Sequence, residues 1–152
     1  MIERTTDSAF IASVINHHGI REDLTDGEEL HVPMHESIYY LKPMLERHAD
    51  GAIEDVAIGI MGFIPVNAAT WNPHIAILPE HRGHGTEALR SGVTWMFENT
   101  PCRKIVAYPP AFNARMIRVF EKCGFQVEGV SPKSFPWHGG LRDRVLMGLE
   151  KE

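Results

Sequence analysis

The sequence predicts a mixed α/β fold, in which helices cover both faces of one central sheet. The order of the segments is the first observation: a helical pattern comes first, strand patterns follow, and residues 74–149 then alternate as β-α-β-α-β-β. The second is a short apolar strand that runs into a glycine-containing turn and then into a helix. The 152 residues, of which 43% are hydrophobic, suffice for one domain with its own core.

Hydrophobic spacing predicts the individual elements. The predicted helices span residues 8–16, 86–99 and 113–122, and the predicted strands span residues 37–41, 56–66, 74–78, 104–108, 125–130 and 144–149. Asp7 and Thr86 are predicted to cap the first two helices, and Gly124 to end the third. The polar, acidic segment 17–33 is predicted to be a loop with room for one further short helix.

Composition argues against several classes of protein. The net charge of −5 disfavours a nucleic-acid binder. No run approaches the ~18 apolar residues of a membrane span, and residues 1–5 are unlike a secretion signal, so no membrane association is expected. Cys102 and Cys123 are far apart, which favours buried thiols in a reducing compartment over a disulfide. We therefore expect a cytoplasmic protein.

Charge is distributed unevenly along the chain. Residues 1–55 carry 12 acidic and 4 basic side chains, whereas residues 56–152 carry 8 acidic and 11 basic ones. This asymmetry would suit a protein that brings a cationic acceptor to an anionic cofactor. The alternative, that the acidic residues only solvate surface loops, explains the same numbers.

A glycine-containing turn is the strongest local signal of a binding site. The segment 79–85, Pro-Glu-His-Arg-Gly-His-Gly, lies between a predicted strand and a predicted helix. Glycines let backbone N–H groups turn into one concavity, and the helix N-terminus adds donors and the positive end of its dipole. A pyrophosphate suits this arrangement. The segment lacks the Gly-Lys-Ser/Thr of a Walker loop and the third glycine of a dinucleotide-binding fingerprint.

Two motifs at a fixed distance along the chain carry a family resemblance. Arg82 and Gly85 fit the pattern Arg/Gln-x-x-Gly-x-Gly/Ala, and residues 113–125, Asn-Ala-Arg-Met-Ile-Arg-Val-Phe-Glu-Lys-Cys-Gly-Phe, fit Asn-x-x followed by Glu-Lys-x-Gly-Phe. Together they resemble the GNAT superfamily of acyl-CoA N-acyltransferases. The later Phe-x-x-Glu-Gly and Arg-Asp segments are similar to its ribosomal-protein N-terminal acetyltransferase branch, and residues 95–100 to some phage-encoded members.

The resemblance implies a GNAT fold, with a central mixed, largely antiparallel twisted sheet of about six to seven strands and helices on both faces. It covers residues 54–150 as an acyl-CoA-binding core and does not extend to the first fifty residues. Residues 1–53 are expected to form a helical region on the acceptor side. Acetyl-CoA is the implied co-substrate, and a monomer or homodimer is implied. The residues implied to bind the cofactor are Ile77, Leu78, Arg82, Gly83, His84, Gly85, Thr86 and Asn113.

The implied chemistry is direct transfer of an acetyl group to an amine of a protein N-terminus, a peptide or a small molecule. In the family, two strands splay, here residues 74–78 and 104–108, and hold the pantetheine arm. A backbone N–H within residues 76–78 would then stabilise the oxyanion. Asn113 would contact the arm, and it would also serve as a helix N-cap.

His74 is the predicted general base, because it precedes the glycine turn and histidine titrates in the useful range. A purely structural histidine is the alternative. Glu54 and Asp55 could shuttle a proton instead, although they also suit a turn. Trp71 and Trp137 could shape an acceptor pocket, with packing as the alternative role.

Two positions depart from the family pattern. Glu87 stands where the family has Gly or Ala, and it either crowds a bound pyrophosphate or points outward and favours the helix dipole. Phe120 stands where many members have a tyrosine that protonates the leaving thiolate, which phenylalanine cannot do. A non-catalytic GNAT-fold binding or assembly protein is therefore the alternative function, with no fold-level argument to decide between the two.

The histidines do not predict a metal site. His31 and His35 are four residues apart, but Pro33 between them disrupts the helical spacing that a zinc pair uses. The pair at residues 17–18 lies in a polar segment near Asp23 and Asp26 without a recognised ligand spacing. We expect no metal.

Overall fold

A computed structural model describes residues 1–17, 20 and 31–152. Its strands are β1 (Ile2–Thr5), β2 (Tyr39–Ala49), β3 (Ala52–Ala57), β4 (Gly59–Pro65), β5 (Thr70–Ile77), β6 (Lys104–Ala107), β7 (Gln126–Trp137) and β8 (Gly140–Glu150). Its helices are α1 (Ser8–Ile15), α2 (Gly85–Asn99) and α3 (Ala114–Lys122), and a short 3-10 helix covers Pro79–His81. Most of the segment 17–33, for which a loop is predicted, lies outside the described residues.

Within the described residues one eight-stranded sheet has the order β1-β2-β4-β5-β6-β8-β7, and β3 pairs with β2 beside this path. Neighbouring strands are antiparallel except β5 and β6. The predicted mixed, largely antiparallel sheet is therefore confirmed. The expected six to seven strands are too few, because β1 has only one strongly apolar residue, Ile2, and gives no alternating signal. Residues 1–53 are also less helical than expected, since they contain β1 and β2.

The predicted single strand over residues 56–66 is two strands. The long β2 pairs through its first residues with β4 and through its last six with β3. The segment that follows β2 must therefore end its pairing with the last part of β2 before it can pair with the first part. The break falls at Ile58, whose N–H donates to the carbonyl oxygen of Pro43. Gly59 follows, and its missing Cβ permits the close approach of the Ala76 carbonyl.

Two apolar clusters fill the two faces of the sheet. Residues of α2 and α3, with Leu89, Met96 and Phe120 among them, pack on one face. Residues of α1, Ile11 and Val14, pack on the other. Helices on both faces are thus confirmed. For the site, the useful consequence is that each strand residue can be assigned to the α2/α3 face or to the α1 face.

The helix ends follow the sequence with one exception. The Asp7 side chain accepts from the backbone N–H of Phe10 at 3.0 Å, as predicted for an N-cap. Gly124 has the positive φ of +92° expected of the residue after a helix. The predicted start of α2 is wrong by one residue, because the helix begins at Gly85 and the N-cap is His84 rather than Thr86. No helix in the described part of the chain is long and apolar enough to cross a membrane.

Replacement of Leu89 by alanine should destabilise the protein by about 2–5 kcal/mol, because the side chain is fully buried between α2 and the sheet. Leu141→Ala is the matched control, since this leucine is 57% exposed and the same atoms are removed. Urea unfolding of both variants measures the difference. Equal losses of unfolding free energy would contradict the packing described for α2.

Candidate active site

The sheet opens between its two parallel strands. β5 and β6 pair only through Thr70–Trp71 and Lys104–Ile105, although both strands continue further. At the point where the pairing ends, the side-chain Nδ2 of Asn72 donates to the carbonyl oxygen of Val106 at 2.6 Å. This bond marks the narrow end of a wedge between β5 and β6. Beyond it the two strands are no longer paired, as the family resemblance implies.

The alignment of β4 with β5 determines which backbone groups face the wedge. The register is unbroken, and the N–H of Leu78 just beyond β5 donates to the carbonyl oxygen of Ile58. Because neighbouring residues of a strand point their polar groups to opposite sides, the odd-numbered residues of β5 face away from β4. Ile75 and Ile77 therefore present N–H and C=O groups to the wedge, whereas Pro73 presents only its carbonyl.

The glycine turn leads directly into the α2 N-terminus beside this wedge. Gly83 has a φ of +112°, a conformation that side-chain-bearing residues rarely adopt. The N-cap His84 makes no side-chain capping bond. Gly85 and Thr86 lie in the first turn, where backbone N–H groups have no acceptor within the helix. The turn therefore supplies donors for an anion.

Helix α3 forms a basic wall of the same cleft. Its N-cap, Asn113, accepts from the N–H of Met116 through Oδ1 at 3.0 Å. Within the described residues the side-chain amide Nδ2 of Asn113 has no partner, so it remains able to donate to a ligand. Arg115, Arg118 and Lys122 also line the cleft. Their charges complement a polyanion.

Most of the sequence-predicted site residues meet in one cleft of about 970 Å³. The predicted residues that line it are His74, Ile77, Arg82, Gly83, Gly85, Thr86 and Asn113. Leu78 and His84 are not among its lining residues. The N–H of Leu78 is bonded to Ile58, and its side chain packs in the cluster on the α1 face.

His74 lies on the α1 face of β5, next to Ala76 of that cluster, and its side chain is exposed to the cleft. The surrounding cleft walls limit the hydration of the ring, and this desolvation lowers its pKa from the ordinary value of 6.5. The positive charge of Arg144 lowers the pKa further. The ring is therefore neutral at pH 7 and able to accept a proton.

Sequence reasoning missed a group on the far side of the wedge. The guanidinium of Arg144 lies 5.6 Å from the ring centroid of Tyr108, and its Nε donates to the hydroxyl of Ser134 at 3.1 Å. Arg144 and Tyr108 both line the cleft. Their sequence signal is weak, because Tyr108 ends a strand and Arg144 stands in an ordinary alternation of β8.

An aromatic wall adjoins this group. The ring centroids of Phe112 and Trp137 are 5.1 Å apart, and those of Phe112 and Phe135 are 6.1 Å apart. All three line the cleft, and the role of Trp137 in shaping an acceptor pocket stays a prediction. The backbone around Phe112 is fixed by β8, since the N–H of Ala111 donates to the carbonyl oxygen of Asp143 at 2.8 Å.

Of the two residues that depart from the family pattern, Glu87 lies outside the cleft and Phe120 lines it. Glu87 is exposed in the first turn of α2 and is not a lining residue of the cleft, so it acts on the helix dipole without crowding the turn. Phe120 is buried against Phe125, with ring centroids 5.0 Å apart. Phe120 lines the cleft, but it offers no proton to a thiolate.

Other residues singled out in the sequence lie away from the cleft. Glu54 forms an ion pair with Arg47 on the exposed β2–β3 hairpin. Trp71 is buried and donates from Nε1 to the carbonyl oxygen of Ser37 at 2.8 Å, which is a packing role. His35 makes a local turn with the Ser37 hydroxyl. Among residues 1–17, 20 and 31–152, no group of three or more His, Cys, Asp or Glu side chains is placed to hold a metal ion.

The fold and the cleft together are those of a GNAT-type acyltransferase. A family model described as "Acetyltransferase (GNAT) domain" matches residues 28–126. Because the match covers more than half of the chain, the chain belongs to the GNAT acetyltransferase family. The match begins at residue 28, so it includes a segment before residue 54, where the resemblance drawn from the sequence motifs began.

Solved structures of similar fold include the spermidine N-acetyltransferase from Vibrio cholerae in complex with CoA and spermine. It is 19% identical, with a TM-score of 0.77, over 99% of this chain and 94% of that chain. The spermidine/spermine N-acetyltransferase SpeG from Vibrio cholerae in complex with manganese ions is also 19% identical, with a TM-score of 0.73, over 99% and 91% of the two chains. At this identity the likeness shows the fold alone. A search of curated protein sequences gives no match.

Proposed function

We propose that this chain is an acetyl-CoA-dependent N-acetyltransferase that transfers the acetyl group directly to an amine. The observation that carries the proposal is one cleft in which a basic, donor-rich wall meets an opened pair of strands. The wall complements the phosphates of CoA, and the open strand offers backbone partners to its pantetheine arm.

In the proposed complex, the N–H groups of Gly83, Gly85 and Thr86 bind the pyrophosphate, and Arg82 adds charge at the same turn. The pantetheine amides pair with the backbone of Ile75 and Ile77 as an added strand would. The Asn113 amide donates to the arm from the opposite wall. We assign Leu78 a packing role, because its N–H is already bonded within the sheet. His84 caps α2 and orients the turn.

The proposed reaction needs no covalent enzyme intermediate. The neutral amine attacks the thioester carbonyl carbon, the C–N bond forms, and the C–S bond then breaks. The N–H of Ile77 faces the wedge and donates to the developing oxyanion. His74 takes the proton that the amine nitrogen loses, directly or through one water. The CoA thiolate takes a proton from the Tyr108 hydroxyl or from solvent, so the products are an acetamide and the CoA thiol.

The acceptor is proposed to enter from the α1 face, which also carries His74. Residues 1–53 thus serve as the acceptor side and residues 54–150 as the cofactor core of one domain, 1–152. A protein N-terminus, a peptide and a small amine remain the candidate acceptors. The structural neighbours named above act on spermidine, which favours a small amine. Residues 21–30 are rich in acidic side chains and lie outside the described residues.

Thermal and chemical unfolding with and without acetyl-CoA tests cofactor binding. A ligand at ~100 times its Kd should raise the unfolding free energy by about 2.7 kcal/mol. Release of the CoA thiol in the presence of a pool of amines and peptides then tests transfer. No stabilisation at millimolar acetyl-CoA would overturn the proposal, whereas stabilisation without thiol release would support the non-catalytic alternative that Phe120 raised.

Two replacements of Asn113 separate its two roles. Asn113→Ala should cost about 1 kcal/mol of stability through the lost N-cap, whereas serine also caps well and Asn113→Ser should be nearly as stable as the wild type. Both should weaken acetyl-CoA binding by roughly 3- to 10-fold, because both lose the amide donor. Calorimetric titration measures the Kd. If the serine variant binds acetyl-CoA as the wild type does, Asn113 is only a cap.

A further inference from the structure

We propose that the acceptor is a small aromatic amino acid whose carboxylate binds Arg144 and whose ring packs against Phe112, Phe135 and Trp137. This inference rests on the proposed acetyl transfer and names the substrate class of the same cleft. It differs from the polycationic acceptors of the structural neighbours.

Charge is the first argument. Every charged residue that lines the cleft within the described part of the chain is basic or a histidine, and no Asp or Glu is among the lining residues. The basic residues assigned above to the phosphates of CoA are Arg82, Arg115, Arg118 and Lys122. Among the described residues, Arg144 is therefore the lining cation that remains for the acceptor, and it would attract a carboxylate. Arg144 is half-buried, which reduces screening of such an interaction by water.

The contacts of Arg144 leave room for a carboxylate. Its guanidinium lies over Tyr108 and donates from Nε to Ser134, and no carboxylate of the described residues pairs with it. Arginine binds a carboxylate through two parallel N–H bonds, which fixes the orientation of the ligand. The cation–π contact with Tyr108 and the bond to Ser134 restrict the movement of the guanidinium.

Arg144 and His74 line the same cleft, and the charge of Arg144 acts on His74. Val145, Met147 and Leu149 of β8 lie on the α2/α3 face, so Arg144 lies on the α1 face, as His74 does. The strand between them, β6, has ended at that level. On that side of β8 Arg144 pairs with Pro110 in an isolated bridge, and on the other side it pairs with Ser131 of β7. A carboxylate on Arg144 would therefore hold the adjacent amino group over the open wedge, beside His74.

The aromatic wall supplies the second contact. Phe112 is 45% exposed, although its ring already contacts those of Phe135 and Trp137. An aromatic side chain of the acceptor would stack on this surface in the offset or edge-to-face arrangement that aromatic rings prefer.

Four acceptors test the inference: L-phenylalanine, its amide, which lacks the carboxylate charge, L-alanine, which lacks the ring, and spermidine, a polycation that lacks both. The kcat/KM for phenylalanine should exceed that for the amide by roughly 10- to 100-fold, as a charge-assisted hydrogen bond implies. Alanine, without the ring, should also be poorer. A preference for spermidine, or equal values for phenylalanine and its amide, would overturn the inference and leave the proposed acetyl transfer intact.

Arg144→Met should reduce the preference for phenylalanine over its amide to about one, and Arg144→Lys should restore part of it. Arg142→Met is the matched control, because Arg142 is exposed and does not line the cleft. If no amine releases thiol from bound acetyl-CoA, the proposed function fails, and calorimetric titration with phenylalanine decides the inference. Binding that Arg144→Met abolishes would support it, and absence of binding would overturn it.

Discussion

His74→Gln is expected to lower kcat by about 100-fold or more at pH 7. Glutamine keeps the polarity and approximate size of the side chain but cannot accept a proton, and a positioned general base contributes roughly 10²- to 10⁴-fold. The desolvation of His74 by the cleft keeps the wild-type ring neutral and so available at this pH. Thiol release at saturating acetyl-CoA and acceptor measures the loss.

The pH dependence gives the more specific readout. The pKa of His74 is lowered by desolvation and by Arg144, so the active neutral form persists below pH 6.5. After division by the fraction of the acceptor that is present as neutral amine at each pH, the wild-type kcat/KM should fall when pH drops through this lowered pKa, and this acid limb should be absent in His74→Gln. Arg144→Met should move the limb to higher pH, since the removed charge disfavours the protonated ring. His48→Gln, an exposed side chain on the β2–β3 hairpin, is the control. An acid limb unchanged by His74→Gln would remove His74 from the mechanism.

Much of the fold could be predicted because its signals are local. Asp7 caps α1 and Gly124 follows α3 as the sequence indicates, since each acts within a few residues. The division into β3 and β4 could not be predicted, because it depends on β2 pairing with both of them at different levels. β1 escaped prediction for a similar reason: Ile2–Thr5 is a strand only through its partner.

The placement of Gly83 and Asn113 in the cleft could be predicted from the sequence, whereas that of Arg144 could not. Gly83 and Asn113 lie in contiguous motifs whose spacing carries the chemistry. Arg144 is brought to His74 by the β5–β6–β8 order and by the early end of β6, which are long-range facts. The backbone N–H that faces the wedge was predicted only to within residues 76–78, because the register of β4 on β5 decides which N–H does so.

Gly83→Ala is expected to raise the Kd for acetyl-CoA by at least about 10-fold. At a φ of +112° any side chain strains the backbone, and relief of that strain would rotate the peptide groups that face the pyrophosphate. Loss of one or two hydrogen bonds to a charged group, at about 1.5–3 kcal/mol each, corresponds to this change. Calorimetric titration with acetyl-CoA measures it.

Gly51→Ala separates binding from folding in this test. Gly51 also has a positive φ, +77°, and open space where a Cβ would lie, but it stands in the β2–β3 turn away from the cleft. Both alanines should therefore cost about 1–2 kcal/mol of unfolding free energy, whereas only Gly83→Ala should weaken acetyl-CoA binding. If the two variants lose the same unfolding free energy and only Gly83→Ala binds acetyl-CoA more weakly, the backbone conformation of Gly83 is one that fits the ligand. Unchanged affinity in Gly83→Ala would instead leave the phosphates to the side chains of Arg82, Arg115 and Arg118, and the backbone of the turn would have no part in binding.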